Sequence, residues 1–241
     1  MNRKLVAGAF WPLDGAHQRV WQGLGLACVL GLAGCSASPP VPDWSLQASD
    51  AAQRAMDAQL EGAVRVAELE WGKARSEAAK TGQPSVMARL ALMRCAVQLA
   101  SLDLEACTAY AAYAQDAAPP EQAYHRYLYG GLRADDVALL PPQHQAIAAV
   151  VVQGGTVLSS QLQTLKDPRA RLVAAGAALR AGSITLAQAW PVVDSAATAQ
   201  GWRRPLMTWM ELERRRLQQA GDGVAAQALQ RRLDILRGST R

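Results

Sequence analysis

Ser49-Asp50-Ala51-Ala52-Gln53-Arg54-Ala55-Met56-Asp57-Ala58-Gln59-Leu60-Glu61-Gly62, followed at once by Ala63-Val64-Arg65-Val66-Ala67-Glu68-Leu69-Glu70-Trp71-Gly72-Lys73-Ala74-Arg75-Ser76-Glu77-Ala78-Ala79-Lys80-Thr81-Gly82, decides the fold. Ala51, Ala55, Ala58 and Leu60 fall on one side of a helix that Ser49 or Asp50 would cap. Gly62 breaks that helix. A second, over 63–80, carries Val64, Ala67, Trp71, Ala74 and Ala78 on one face and closes at Thr81-Gly82. The stretch therefore predicts a helical hairpin packed through small residues.

The rest of the chain repeats this grammar. Alanine, leucine, glutamine and arginine dominate; these favour helix, and Val/Ile/Thr alternation is scarce. Gln83-Pro84 opens a helix to residue 100, with Met87, Leu90, Ala91, Cys95 and Leu99 on its face. Further helices are expected over 104–114 and 121–128, then over 144–152 after Pro141-Pro142, and as a short piece over 156–165. Asp167-Pro168 is an N-cap followed by a first-turn proline, and its helix runs to Arg180. Thr185 caps the next, in which Pro191 should produce a kink or a restart. Arg204-Pro205 opens a helix through Gln219, and 224–236 forms the last. The fold class is all-α: antiparallel hairpins forming an α-solenoid or a compact helical array.

Within residues 48–81, Ala67, Trp71 and Ala74 resemble the small, aromatic and small positions in the second helix of a tetratricopeptide repeat. Ala55 takes the family's usual glycine position, and Gly62 falls in the turn. Ala58 stands where the family has an aromatic residue, and Ala79 where it has a proline. The resemblance implies a TPR-like array; a plain helical hairpin is the alternative.

Upstream, Trp21-Gln-Gly-Leu-Gly-Leu-Ala-Cys-Val-Leu-Gly-Leu-Ala-Gly-Cys35 runs without a charge behind Arg3, Lys4 and Arg19. The apolar part has the length of a signal-peptide core, well short of the ~20 residues of a spanning helix. Leu32-Ala33-Gly34-Cys35 resembles the lipobox of bacterial lipoproteins. That resemblance implies cleavage of residues 1–34, acylation of Cys35 and, with Ser36 rather than Asp next, passage to the outer membrane. The inner-membrane periplasmic face is the alternative placement, and a secreted chain with a spare Cys35 thiol the alternative processing. Residues 35–43, with prolines at 39, 40 and 42, read as the acylated cysteine and an extended tether. Residues 44–241 read as the helical periplasmic domain.

The formal charge of +5 falls by two when Arg3, Lys4, Arg19 and Asp14 leave with the leader. So small a basic excess does not point to nucleic acid. Of the four cysteines, Cys95 and Cys107 remain as a pair. In an oxidising compartment they read as a disulfide across the turn near residues 101–103, with two buried thiols as the alternative. His125 and His144 lie at no zinc-ligand spacing from them, so no metal is expected.

Chemistry-bearing residues are sparse. Tyr124, His125 and Tyr127 could line a ligand groove, although helical geometry puts Tyr124 and Tyr127 on one side and His125 with Tyr129 on another. Asp135-Asp136 could be a carboxylate pair for acid/base work or metal binding, but between Leu132-Arg133-Ala134 and Val137 it reads as a turn or cap, and Ser159 and Ser160 lack a nucleophile elbow. Gly130-Gly131 and Gly154-Gly155 are helix stops rather than phosphate loops, and no cofactor is implied. Arg214, Arg215 and Arg216, with Arg231 and Arg232, form a candidate basic surface, or a solvated face paired with Glu211 and Glu213. Trp190, Trp202 and Trp209 are expected to supply core bulk. These features predict a non-enzymatic, lipid-anchored platform for an envelope protein or peptide. The alternative is a peptidoglycan enzyme or its activator, for which Glu70 and Glu121 are the candidate acids.

Overall fold

The computed structural model describes residues 41–238, and among them every regular element is helical. In chain order they are α1 (Asp43–Glu61), α2 (Val64–Ala79), α3 (Pro84–Ala100), α4 (Thr108–Ala111), α5 (Pro119–Tyr129), α6 (Pro142–Val152), α7 (Ser159–Gln163), α8 (Pro168–Arg180), α9 (Leu186–Gln200), α10 (Arg203–Gln219) and α11 (Gly223–Gly238), with 3-10 turns at Ala114–Asp116 and Ala134–Leu139. The leader, Cys35 and most of the tether lie outside the described residues.

The α1–α2 hairpin forms as its sequence dictates. Gly62 adopts a left-handed φ of 86° and its N–H bonds back to the end of α1, a turn that a side chain would strain. Ala48, Ala51, Ala52, Ala55 and Ala58 pack on Ala67, Trp71, Ala74 and Ala78, all buried. Small residues let the two backbones approach closely. The Trp71 indole N–H donates to Gln59 Oε1 at 2.9 Å, so the large ring is held from α1.

Proline marks the first turn of α3, α5, α6 and α8, where its missing N–H costs nothing. Asp167 caps α8 by accepting from Arg169 N–H at 2.9 Å, as expected. Thr185 caps α9.

Three local expectations are corrected. α1 starts at Asp43, with Pro42 as N-cap, not at Ser49 or Asp50. Buried Ser45 and Ala48 extend the apolar stripe one turn and a half upstream, and Asp43 sits favourably at the positive helix end. Trp44 packs on the core, whereas Leu46 points to solvent. The helix expected over 104–114 shrinks to α4, because Leu102 takes a left-handed φ of 55° and Cys107 is tied to Cys95. Finally, Pro191 does not restart the helix: α9 runs through it from Leu186 to Gln200, with the proline ring exposed.

The array is compact rather than an open solenoid. In a solenoid each repeat touches only its neighbours. Here α3 packs on both α5 and α8, and α10 returns to α1. At the α3–α8 crossing Gly176 lies so close to Leu99 that an added Cβ would sit 2.8 Å from the Leu99 carbonyl oxygen. Trp209 of α10, fully buried, donates its indole N–H to the Ala100 carbonyl at 2.9 Å. That bond satisfies one of the orphan carbonyls at the end of α3. Trp190 and Trp202 are buried as well. All three tryptophans supply core bulk.

Candidate functional site

The residues singled out in the sequence do not converge. Tyr124 and Tyr127 face the core, where they surround His144 with ring centroids 5.7 and 5.2 Å away. His144 is fully buried, and desolvation lowers its pKa to about 3. Burial likewise pushes both phenols up. Tyr127 Oη lies 3.4 Å from His144 Nδ1, and Nε2 has no hydrogen-bond partner. This is a neutral aromatic core cluster.

His125 sits on the opposite side of α5. It stacks between Tyr110, at 4.6 Å, and Tyr129, at 5.4 Å. Arg180 covers the outer face of Tyr129 at 4.9 Å. Burial, then the Arg126 charge, lower the His125 pKa. The three residues of the expected groove are thus split between two environments.

The basic surface is largely neutralised. Arg214 and Arg215 both bond Glu211, Arg216 forms two hydrogen bonds with Glu213, and Arg232 grips Asp194 from α11 to α9. Arg231 makes no ion pair with another described residue.

Glu70, Glu121 and Asp136 are also engaged. Lys73 and Arg54 hold Glu70 at 2.5 and 2.8 Å and lower its pKa. Glu121 is fully buried against Arg89, at 2.8 Å. Asp136 receives Arg126 at 2.8 Å and 2.5 Å and the Arg133 N–H at 2.9 Å, which depress its pKa to about 2. It closes the start of a 3-10 turn; Asp135 beside it is exposed. Ser159 donates to the Gln188 carbonyl at 2.6 Å.

Cys95 and Cys107 are joined in a disulfide, with their Cα atoms 5.7 Å apart, inside the usual range. The bond fixes where α4 begins. Beside it a cleft of about 110 Å³ lies among α2, α3 and α4. The floor is Trp71, Leu90 and Ala91, all buried; Ala109 of α4 and Tyr113 in the turn after it form the third wall. Arg75 and Arg94 stand at its rim. Arg94 forms a two-pronged pair with Glu68, at 2.6 and 3.0 Å, across α2 and α3. Arg75 is exposed and makes no ion pair with another described residue. The residues are spaced one helical turn apart: 71 and 75 on α2; 87, 90, 91 and 94 on α3.

A second hollow, about 260 Å³, lies between α5, α6 and α8 beside Gly130 and Gly131. Its two cations are committed, Arg126 to Asp136 and Arg180 to the Leu104 carbonyl at 3.0 Å.

Among the described residues no three His, Cys, Asp or Glu side chains gather as a metal set, and no helix is long and apolar enough to cross a membrane. The described residues define a cystine-stapled, all-α array in which a cleft with an apolar floor is bordered by Arg75, a guanidinium without an ion pair to another described residue. No protein-family model, curated protein or solved structure matches the chain.

Proposed function

We infer that the chain is a lipid-anchored lipoprotein of the outer membrane whose helical array faces the periplasm and serves as a non-enzymatic platform for an envelope protein or peptide. The observation that carries this reading is the Cys95–Cys107 disulfide. A stapled pair of this kind persists in an oxidising compartment and not in a reducing one. The Leu32-Ala33-Gly34-Cys35 stretch supports the same compartment and supplies the anchor. Acyl chains at Cys35 would contribute roughly 0.8 kcal/mol per buried methylene, and more than one chain makes the anchoring stable. The platform role draws support from ion pairing: Glu70, Glu121 and Asp136 each hold a cation in a structural contact, and the α2–α3–α4 cleft has an apolar floor suited to a side chain.

Intact mass spectrometry of the chain extracted from its native membrane tests the anchor. The expected mass is that of residues 35–241 plus acyl groups, lost in Cys35→Ser. A free amino terminus without an adduct would remove the anchor and the placement with it. Mild cross-linking in whole cells tests the platform, and the absence of any reproducible envelope partner would count against that role.

A further inference from the structure

We propose that the cleft between α2, α3 and α4 seats the C-terminal residue of a peptide partner, its leucine-sized side chain on Trp71, Leu90 and Ala91 and its free carboxylate on Arg75. The inference rests on the platform reading and names the kind of partner.

Size selects the side chain. A dry cavity of about 150 Å³ holds benzene, so a cleft of 110 Å³ suits a side chain of isobutyl size. The floor is rigid, since Trp71 is pinned through Gln59 and α4 is pinned through Cys107. A preformed apolar pocket loses little entropy on filling.

Charge selects the head group. Arg94 already spends its planar fork on Glu68, whereas Arg75 carries a fork with no acid facing it. A guanidinium matches a carboxylate in a two-pronged pair. Trp71 and Arg75 are one turn apart, about 5–6 Å between Cβ atoms. That spacing matches the short distance between a residue's own side chain and its α-carboxylate, so a single terminal residue satisfies both contacts. An internal acidic side chain would need a second residue and a defined turn. A phosphate would leave the apolar floor empty.

The test uses the full chain in mild detergent, with methyl-labelled methionine, following Met87 at the cleft wall by NMR. The probes are N-acetyl-Ala-Ala-Leu, its C-terminal amide, and isovalerate. The expected result is a saturable shift of Met87 by the acid peptide, with the amide about fivefold weaker, the size of a ~1 kcal/mol exposed pair. Arg75→Gln should bring the acid to the level of the amide and leave the amide unchanged. Ala109→Trp, an exposed position at the mouth, should abolish both shifts. Equal binding of acid and amide, or an unchanged acid affinity in Arg75→Gln, overturns the proposal. Isovalerate binding as tightly as the peptide overturns the peptide occupant. If the peptide binds as expected but no envelope protein cross-links, the platform reading fails and the cleft assignment stands. A cross-linked partner retained by both variants, with no peptide shift, has the opposite meaning.

Discussion

Replacing Gly176 by alanine should destabilise the protein, although the same change in an open helix interior stabilises it. Two terms compete. Alanine is about 1 kcal/mol better than glycine inside a helix. Against this, a Cβ at 176 would sit 2.8 Å from the Leu99 carbonyl oxygen and 3.1 Å from Leu99 Cγ. The carbonyl cannot swing aside freely, because it accepts the Leu102 N–H at 2.8 Å in the turn that ends α3. The α3–α8 pair must separate instead. Overpacking by one methyl in a dense core costs about 1–3 kcal/mol, so the net loss is about 1 kcal/mol. Gly72 is the control. It lies mid-α2 with nothing within 4 Å of its would-be Cβ, so Gly72→Ala should gain about 1 kcal/mol. Urea unfolding followed by far-UV circular dichroism should place the two midpoints on opposite sides of the parent, with unchanged slopes. In melting temperature each shift is about 2–4 °C at this size. Gly176→Ala as stable as Gly72→Ala would refute the close crossing of α3 and α8.

The Cys95→Ser/Cys107→Ser double variant, whose native loop spans a separation of 12 residues, should lose about 3 kcal/mol in the chain-entropy account; unfolding midpoints that match the oxidised parent would show that the staple is not formed. His144, held neutral by burial with a pKa of about 3, makes the unfolded state the better proton binder below its ordinary value of 6.5. Stability present above that pH should therefore fall on acidification, by up to about 1.4 kcal/mol per pH unit towards pH 3, and denaturation of His144→Phe across pH 4–7 should show a visibly flatter profile. Asp136 adds in the same direction lower down. Its pKa is depressed to about 2, so its contribution is present above about 3.8 and is lost as pH falls through 2; with Arg133 open to solvent this is on the order of 1 kcal/mol, read as the part of the acid limb that Asp136→Asn removes. Trp209→Phe should cost about 2 kcal/mol, chiefly by stranding the Ala100 carbonyl; a thermal melt unchanged from the parent would contradict that bond.

The helix boundaries were legible wherever punctuation is local. Pro84, Asp167-Pro168, Thr185 and Gly62 act within one turn of themselves, and α3, α8 and α9 begin and α1 ends where those residues say. The failures are tertiary. Leu102 in a left-handed conformation has no sequence mark, since glycine is the usual occupant, and so the helix read over 104–114 was cut short by a turn and a disulfide acting together. The early start of α1 was hidden by the proline run, which suggests extended chain up to residue 43, while Ser45 and Ala48 already continued the buried stripe. Solenoid and compact array could not be separated from spacing, because the contacts that decide between them, α3 on α8 and α1 on α10, join distant segments. Gly176 within Ala174-Ala175-Gly176-Ala177-Ala178 was their one local trace.

For the candidate site the limit lies in electrostatics. Periodicity correctly separated Tyr124 and Tyr127 from His125, because side within one helix is a local property. Whether a charge is free is not local. Arg54 meets Glu70 16 residues away, Arg94 meets Glu68 26 away, and Arg232 meets Asp194 38 away. The arginine-rich run at 214–216 attracts notice by density, yet Glu211 and Glu213 within one turn consume it. Arg75 draws none, flanked by Ala74 and Ser76 with Glu77 close by. It stands apart only when α3 and α4 fold over α2 and bring apolar surface, but no acid, within its reach. A binding site on an array such as this is thus a remainder: what is left when the helices have paired most of their charges with one another. The remainder can be computed only after the pairing is known. This is why the stripe Met87, Leu90, Ala91 was visible as a helix face while its partner cation was not.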